Sequence, residues 1–167
     1  MSLLRFASFA LLAGGLAFAL GQQAPADAAG SATRWRWPLS PAGAIVQPYE
    51  APPGPYAAGH RGIDLAASAG QPVFAPTRAT VQFSGVVVDR PVVTLRVDAH
   101  VLVSFEPVTG QLPVGSTVGT GQRFGTVDRG GHCDDRCLHL GVRVDGDYVS
   151  PLLFLSDVPP AVLLPLD

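Results

Sequence analysis

The chain has 167 residues, a formal net charge of −2 and 47% hydrophobic residues, enough for one packed domain and too few for two large ones. All 11 of its basic residues are arginines, set against 13 acids. That balance excludes binding to nucleic acid or anionic lipid by bulk charge. Glycine and proline, 19 and 16 residues, make about a fifth of the chain, below the level of about 25–30% that marks disorder. The composition therefore describes a packed domain rich in turns.

Taken in chain order, the first segment carries Arg5, the uncharged apolar run from Phe6 to Leu20, and then "APADAAG" with small residues at A-x-A spacing. This is the pattern of a secretory signal peptide, cleaved near Ala28 or Ala29. The run falls short of the about 20 residues that a spanning helix needs, so no stable membrane span is expected after cleavage. Residues 1–29 are read as the signal segment, 30–157 as one domain and 158–167 as a C-terminal tail, with the product secreted into an oxidising space.

Beyond the signal segment no window sustains a 3.6-residue period, and short β-type runs dominate. Strands are expected near Ile45–Gln47, Pro72–Ala75, Ala79–Val88, Val92–Val97, Val101–Phe105, Phe124–Val127 and Leu138–Val144. In "RWRWPL" (34–39) arginine and tryptophan alternate, which reads as a first strand with both tryptophans on one face. The segments "AGQPVFAPTRATVQFSG" (69–85) and "VGSTVGTGQRFGTVDRG" (114–130) repeat one pattern of turn, short strand, turn and strand. They resemble the paired hairpins of hammerhead β-sandwiches, the shape of biotinyl and lipoyl carriers. Those carriers need an acceptor lysine, and this chain has none.

Two stretches hold the chemistry. In "GHRGIDL" (59–65) His60 and Asp64 stand four residues apart, about 13 Å along an extended strand. Zinc takes such donors at about 2.0–2.2 Å, so they can share an ion only if the chain bends, and Gly62 is the residue that permits a bend. In "CLHLGVRV" (137–144) strand alternation puts Cys137, His139 and Gly141 on one face and Leu138, Leu140 and Val142 on the other. His139 is then the best candidate for a third donor. The two cysteines, Cys133 and Cys137, read either as a disulfide closing the "CDDRC" loop, the default in an exported chain, or as thiolate ligands beside His139 in a closed metal site.

In these motifs the chain resembles the LytM/lysostaphin-type zinc metalloendopeptidases, which cut peptide bonds in bacterial peptidoglycan. "GHRGIDLAASAGQPVFAPTRATV" is similar to that family's H-x-G-x-D-L followed by G-x-P-V-x-A. "VGSTVGTGQRFGTV" and "CLHLGVRVDGDYVSPLLFL" resemble its later hairpin and closing strand. The resemblance runs from about residue 36 to about residue 155. It implies an all-β fold, a small twisted antiparallel sandwich of the hammerhead, or barrel-sandwich hybrid, type. It also implies a Zn2+ cofactor held by His60, Asp64 and His139, peptidoglycan peptides as partner, and a monomeric protein associated with the cell wall.

Two departures stand out. The family's H-x-H motif has Cys137 in its first position, and the place of a second catalytic histidine, in "VSFEPV", is taken by Glu106 or its neighbour. A glutamate beside zinc serves as general base in H-E-x-x-H enzymes, so Glu106 is the candidate catalytic residue, with His132 in the preceding loop as a lesser one and His100 placed in a hairpin turn. The alternative function is a catalytically inactive module of peptidase fold that binds peptidoglycan or regulates a partner hydrolase.

Overall fold

The computed structural model describes residues 34–54 and 56–155. The expected signal segment and the tail from 158 lie outside the described residues. Within them the chain forms eleven strands and one short helix: β1 (Ile45–Gln47), β2 (Ile63–Ala66), β3 (Pro72–Phe74), β4 (Ala79–Val87), β5 (Arg90–Arg96), β6 (Val101–Glu106), β7 (Val108–Gly110), β8 (Thr117–Val118), β9 (Arg123–Val127), β10 (Cys137–Val144), β11 (Asp147–Val149) and α1 (Leu152–Leu155). No helix of the described residues is long and apolar enough to cross a membrane.

All pairings are antiparallel. The larger sheet runs β1-β2-β10-β6-β5-β4-β8, with β11 also on β10, and the smaller is β3-β9-β7. The sandwich expected from the sequence is thus present, with a detail the pattern alone does not show. The two similar segments do not fold back as separate hairpins: they exchange partners, β3 pairing with β9 and β4 with β8.

The core follows strand alternation. Leu138, Leu140 and Val142 of β10 are fully buried, as are Ile63 and Leu65 of β2, and they meet Phe105 of β6 and Phe124 of β9, whose rings lie 4.9 Å apart. Burying a side chain of this size stabilises by about 1.5–3 kcal/mol, so these residues hold the two sheets together. "RWRWPL" departs from its expected strand. Residues 34–37 take no regular structure: Arg36 donates its backbone N–H to Pro76 O at 2.8 Å and Trp35 to Phe154 O at 3.0 Å. The one-sided placement of the tryptophans survives, because Trp35 is buried and stacks on Phe154 at 4.3 Å while Trp37 packs on the core edge.

Candidate metal centre

Register places the polar side chains. His139 of β10 faces Asp64 across one strand boundary and Glu106 across the other. With Leu138 and Leu140 committed to the core, period-two geometry turns His139 to the opposite face, and Asp64 and Glu106 are carried to that face with it.

His60 arrives from outside the strands. Its backbone forms a two-hydrogen-bond bridge with Glu50, both at 2.9 Å, and the chain bends at Arg61 and Gly62 before β2 begins. Gly62 contributes space rather than a left-handed backbone. A Cβ there would lie 2.6 Å from both Cε1 and Nε2 of His139 and would also strike the Leu140 carbonyl.

Three donor atoms form a tight triangle. His60 Nε2 is 3.1 Å from Asp64 Oδ1 and 3.1 Å from His139 Nδ1, and His139 Nδ1 is 2.7 Å from Asp64 Oδ1. The side chain of Asp64 is 2% exposed, those of His60 and His139 8% and 13%. Burial alone would raise the Asp64 carboxyl, but hydrogen bonds from His139 and His132 and their charges outweigh it and hold the group below its ordinary range. Asp64 is therefore an anion in a nearly dry site.

The tautomer of His60 is fixed by its surroundings. Its Nδ1 lies 2.7 Å from Pro48 O, and a carbonyl oxygen only accepts, so Nδ1 carries the hydrogen and Nε2 of the neutral ring keeps a lone pair. That lone pair points at a carboxylate oxygen and at a second imidazole nitrogen. A hydrogen on His139 Nδ1 satisfies both contacts in the metal-free site; a cation among the three atoms would take its place, and two imidazoles with one carboxylate are donors that suit zinc. The residues present fit the ion.

A fourth group enters from the loop between β9 and β10. His132 Nε2 lies 2.9 Å from Asp64 Oδ2, the carboxylate oxygen turned away from the triangle, and one donor atom each from His60, Asp64, His132 and His139 lie within 4.8 Å of one another. His132 is only a lesser candidate from the sequence, because nothing in the spacing shows that the loop folds back. The signal that does point to it is the neighbouring cysteine pair. Cys133 and Cys137 are joined by a disulfide, with Cα atoms 5.5 Å apart, so the loop is tied to the first residue of β10 and neither sulfur offers a thiolate.

Glu106 lies beside the cluster and is not one of its four donors. Its carboxylate faces Arg90, whose Nη2 donates to Oε1 at 3.3 Å and whose Nε is 3.1 Å from Oε2. Two clefts meet at the centre. One, of about 350 Å³, is lined by Val46, Gln47, Asp64, His132 and Arg136. The other, of about 480 Å³, runs over the outer face of β4, β5, β6 and β10 past Phe83, Thr94, Glu106, His139 and Tyr148. His100 is remote, on an exposed turn where Nδ1 meets Asp145 Oδ1 at 2.6 Å.

The fold is thus an antiparallel sandwich that brings His60, Asp64 and His139 together beside an extended cleft. Residues 58–151 match the model of peptidase family M23, and the chain belongs to that family. It is 39% identical over 150 residues to the uncharacterized protein Rv2891 of Mycobacterium tuberculosis, covering 86% of this chain and 59% of that protein. The chain thus spans about three fifths of the length of Rv2891 and its Mycobacterium bovis counterpart, and about a quarter of a second matched relative, the uncharacterized protein Rv3786c.

Among solved structures it resembles lysostaphin, with a TM-score of 0.62 at 20% identity over 83% of this chain and 62% of that one. It also resembles a zinc-containing peptidase from Vibrio cholerae, with a TM-score of 0.56 at 18% identity over 70% of this chain and 38% of that one. At these identities the likeness is one of fold.

Proposed function

We propose that the chain is an exported zinc-dependent endopeptidase that cleaves peptide bonds in bacterial cell-wall peptidoglycan. The observation that carries the reading is the buried triangle of His60 Nε2, Asp64 Oδ1 and His139 Nδ1, set in a chain of peptidase family M23. These three residues would hold the metal. A zinc ion kept by three protein donors acts as a Lewis acid toward a carbonyl and lowers the pKa of its water to about 7.

The chain's own groups do the rest. Pro48 O fixes the His60 ring, and the ionised Asp64 offsets cationic charge. Glu106, directly across from His139, takes a proton from the attacking water and returns it to the departing amine, its carboxylate turning from Arg90 to do so. The cleft along β6 and β10 gives an extended peptide room on the same face. Export is supported by the signal pattern at residues 1–29 and by a disulfide suited to an oxidising space.

A second reading has its own support. The Glu106 carboxylate is engaged by Arg90, and Cys137 is consumed in the disulfide, so neither is free to work on a proton as the structure stands. On this reading the domain binds wall peptides, or regulates a partner hydrolase, without cutting.

Digestion of purified peptidoglycan in the presence of zinc, read as released muropeptides by mass spectrometry beside an Asp64→Ala control, separates the two. New peptide ends absent from the control establish the endopeptidase. Stoichiometric zinc uptake with retention on insoluble wall and no release assigns the binding module. A chain that takes up no zinc defeats the metal reading altogether.

A further inference from the structure

We infer that His132 is a positioning residue of the metal centre and that the Cys133–Cys137 disulfide is what holds it in place. The inference rests on the reading of His60, Asp64 and His139 as the metal donors and adds to it the group that completes their support.

The geometry separates two kinds of contact at Asp64. Oδ1 faces the two imidazole nitrogens of the triangle, at 3.1 and 2.7 Å. Oδ2 faces His132 Nε2 alone among the imidazoles, at 2.9 Å. A carboxylate oxygen only accepts, so His132 donates, and with both oxygens engaged the carboxylate cannot rotate about its Cβ–Cγ bond without losing one set of partners. Asp64 is nearly buried, whereas the side chain of His132 is 44% exposed. Water would compete for Oδ2 if the imidazole were not held over it. Hydrogen bonds of this kind orient ligating carboxylates, and losing them costs about ten- to a hundredfold in metal affinity.

What holds His132 is not secondary structure. It stands in an irregular loop with Gly130, Gly131, Asp134 and Asp135 all at positive φ, a backbone with little intrinsic preference for one shape. Three constraints close it. Gly130 N–H donates to Asp135 Oδ1 at 2.8 Å; Arg136 N–H donates to Cys133 O at 3.0 Å; and Cys133, the neighbour of His132, is bonded to Cys137. Cys137 itself is buried and is paired in register with Ala66, two residues along β2 from Asp64. The disulfide therefore ties the histidine to the strand pair that carries the residue it supports.

The coupling has a consequence for where the site matures. In a reducing compartment the disulfide is open and the loop is released, so tight metal retention is completed only after oxidation. The open form also offers a rival donor set, Asp64, His132, Cys133 and Cys137, which would draw Asp64 away from the histidine triangle. The test for that reason replaces the cysteines rather than reducing them.

The experiment measures zinc affinity of the full chain by competition with a chromophoric chelator, for the wild type, His132→Ala, His132→Gln, the double variant Cys133→Ala/Cys137→Ala, and that double variant carrying His132→Ala. Thermal melting of each metal-free protein and the visible spectrum of each cobalt(II) form accompany it. The expected result has four parts. His132→Ala weakens zinc binding about ten- to a hundredfold; His132→Gln, which keeps an N–H donor, recovers most of it; the cysteine pair variant loses a similar factor; and His132→Ala adds little to that variant, since a shared mechanism is not additive.

His132→Ala remains folded in the metal-free melt and leaves the cobalt(II) band positions where they are in the wild type. Equal zinc affinity for wild type and His132→Ala overturns the inference while leaving the three-donor site standing. So does a cobalt(II) spectrum altered by His132→Ala, which would make His132 a direct ligand. Additive losses from the loop and the histidine refute the role given to the disulfide. Absence of zinc binding in every variant, the wild type included, defeats the metal reading and the inference with it.

Discussion

Gly62→Ala is the sharpest test of how the centre is packed. The new Cβ would stand 2.6 Å from Cε1 and Nε2 of His139, where ordinary contact begins at 3.4 Å, and it would press as well on the carbonyl of Leu140. That carbonyl oxygen, 2.3 Å from the new Cβ, belongs to β10, which is paired with β2 through Leu140 and Ile63, so the strand pair itself must give there and the imidazole must shift by about 0.8 Å as well. Metal sites tolerate about 0.2 Å in donor distance.

Overpacking of this kind costs about 1–3 kcal/mol, and it can appear in two places. If the ring keeps its position, the metal-free protein is destabilised by that amount. If the ring moves aside, the strain returns only when the metal pulls it back, and the cost shows as a loss of about 5- to 150-fold in zinc affinity. The paired measurement is the urea midpoint of the metal-free chain and the zinc affinity by chelator competition. The two losses together should reach about 1–3 kcal/mol. Wild-type values in both would refute the contact that the structure draws between Gly62 and His139.

Three further outcomes are expected. Glu106→Gln should leave zinc stoichiometry unchanged and reduce muropeptide release by about a hundredfold or more; release at the wild-type rate would remove Glu106 from the chemistry. Phe124→Ala should lower the unfolding free energy by about 3–5 kcal/mol without changing the denaturant slope, because Phe124 is 1% exposed and its ring lies 4.9 Å from that of Phe105; a small change in the urea midpoint would mean the sheets do not meet there. At the remote turn, the hydrogen bond and charge of Asp145 raise the His100 pKa above its ordinary 6.5, so Asp145→Asn should bring it back down in an NMR titration. A raised folded-state pKa contributes stability that is fully present below the unfolded value and lost as pH rises through the folded one. The melting difference between wild type and Asp145→Asn should therefore close on the alkaline side, and a gap that widened there would reverse the assignment.

β1, β4, β6, β9 and β10 lie within one or two residues of their expected limits, the longer ones marked by their apolar patterning and β1, three exposed residues long, by its β-branched residues. β2 was not legible in the sequence, for a physical reason. Ile63, Asp64 and Leu65 are all buried, so the strand shows no alternation between inside and outside, and its hydrophilic member is buried as a site residue. β7, β8 and β11 are two or three residues long, too short for any period to register. The carboxylate of Glu106 was legible as a position and not as an environment, because its partner Arg90 sits on β5, which no local pattern connects to it.

The centre itself shows why part of it could be read and part could not. Leu138 and Leu140 commit β10 to the core, and a slip of one residue would turn His139 into the interior and the leucines to solvent. The hydrophobic pattern of β10 therefore fixes the facing of His139, and antiparallel register then carries Asp64 and Glu106 to the same side. Those placements follow from alternation, which sequence displays. His60 and His132 belong to no strand. One is oriented by a hydrogen bond to Pro48 O, the other by a loop tied to β10 through Cys133 and Cys137, and both depend on contacts that form only after the sheet exists. Core residues thus place the donors that the sequence makes visible, while irregular segments settled on the finished sheet supply the groups that fix their protons and their rotamers.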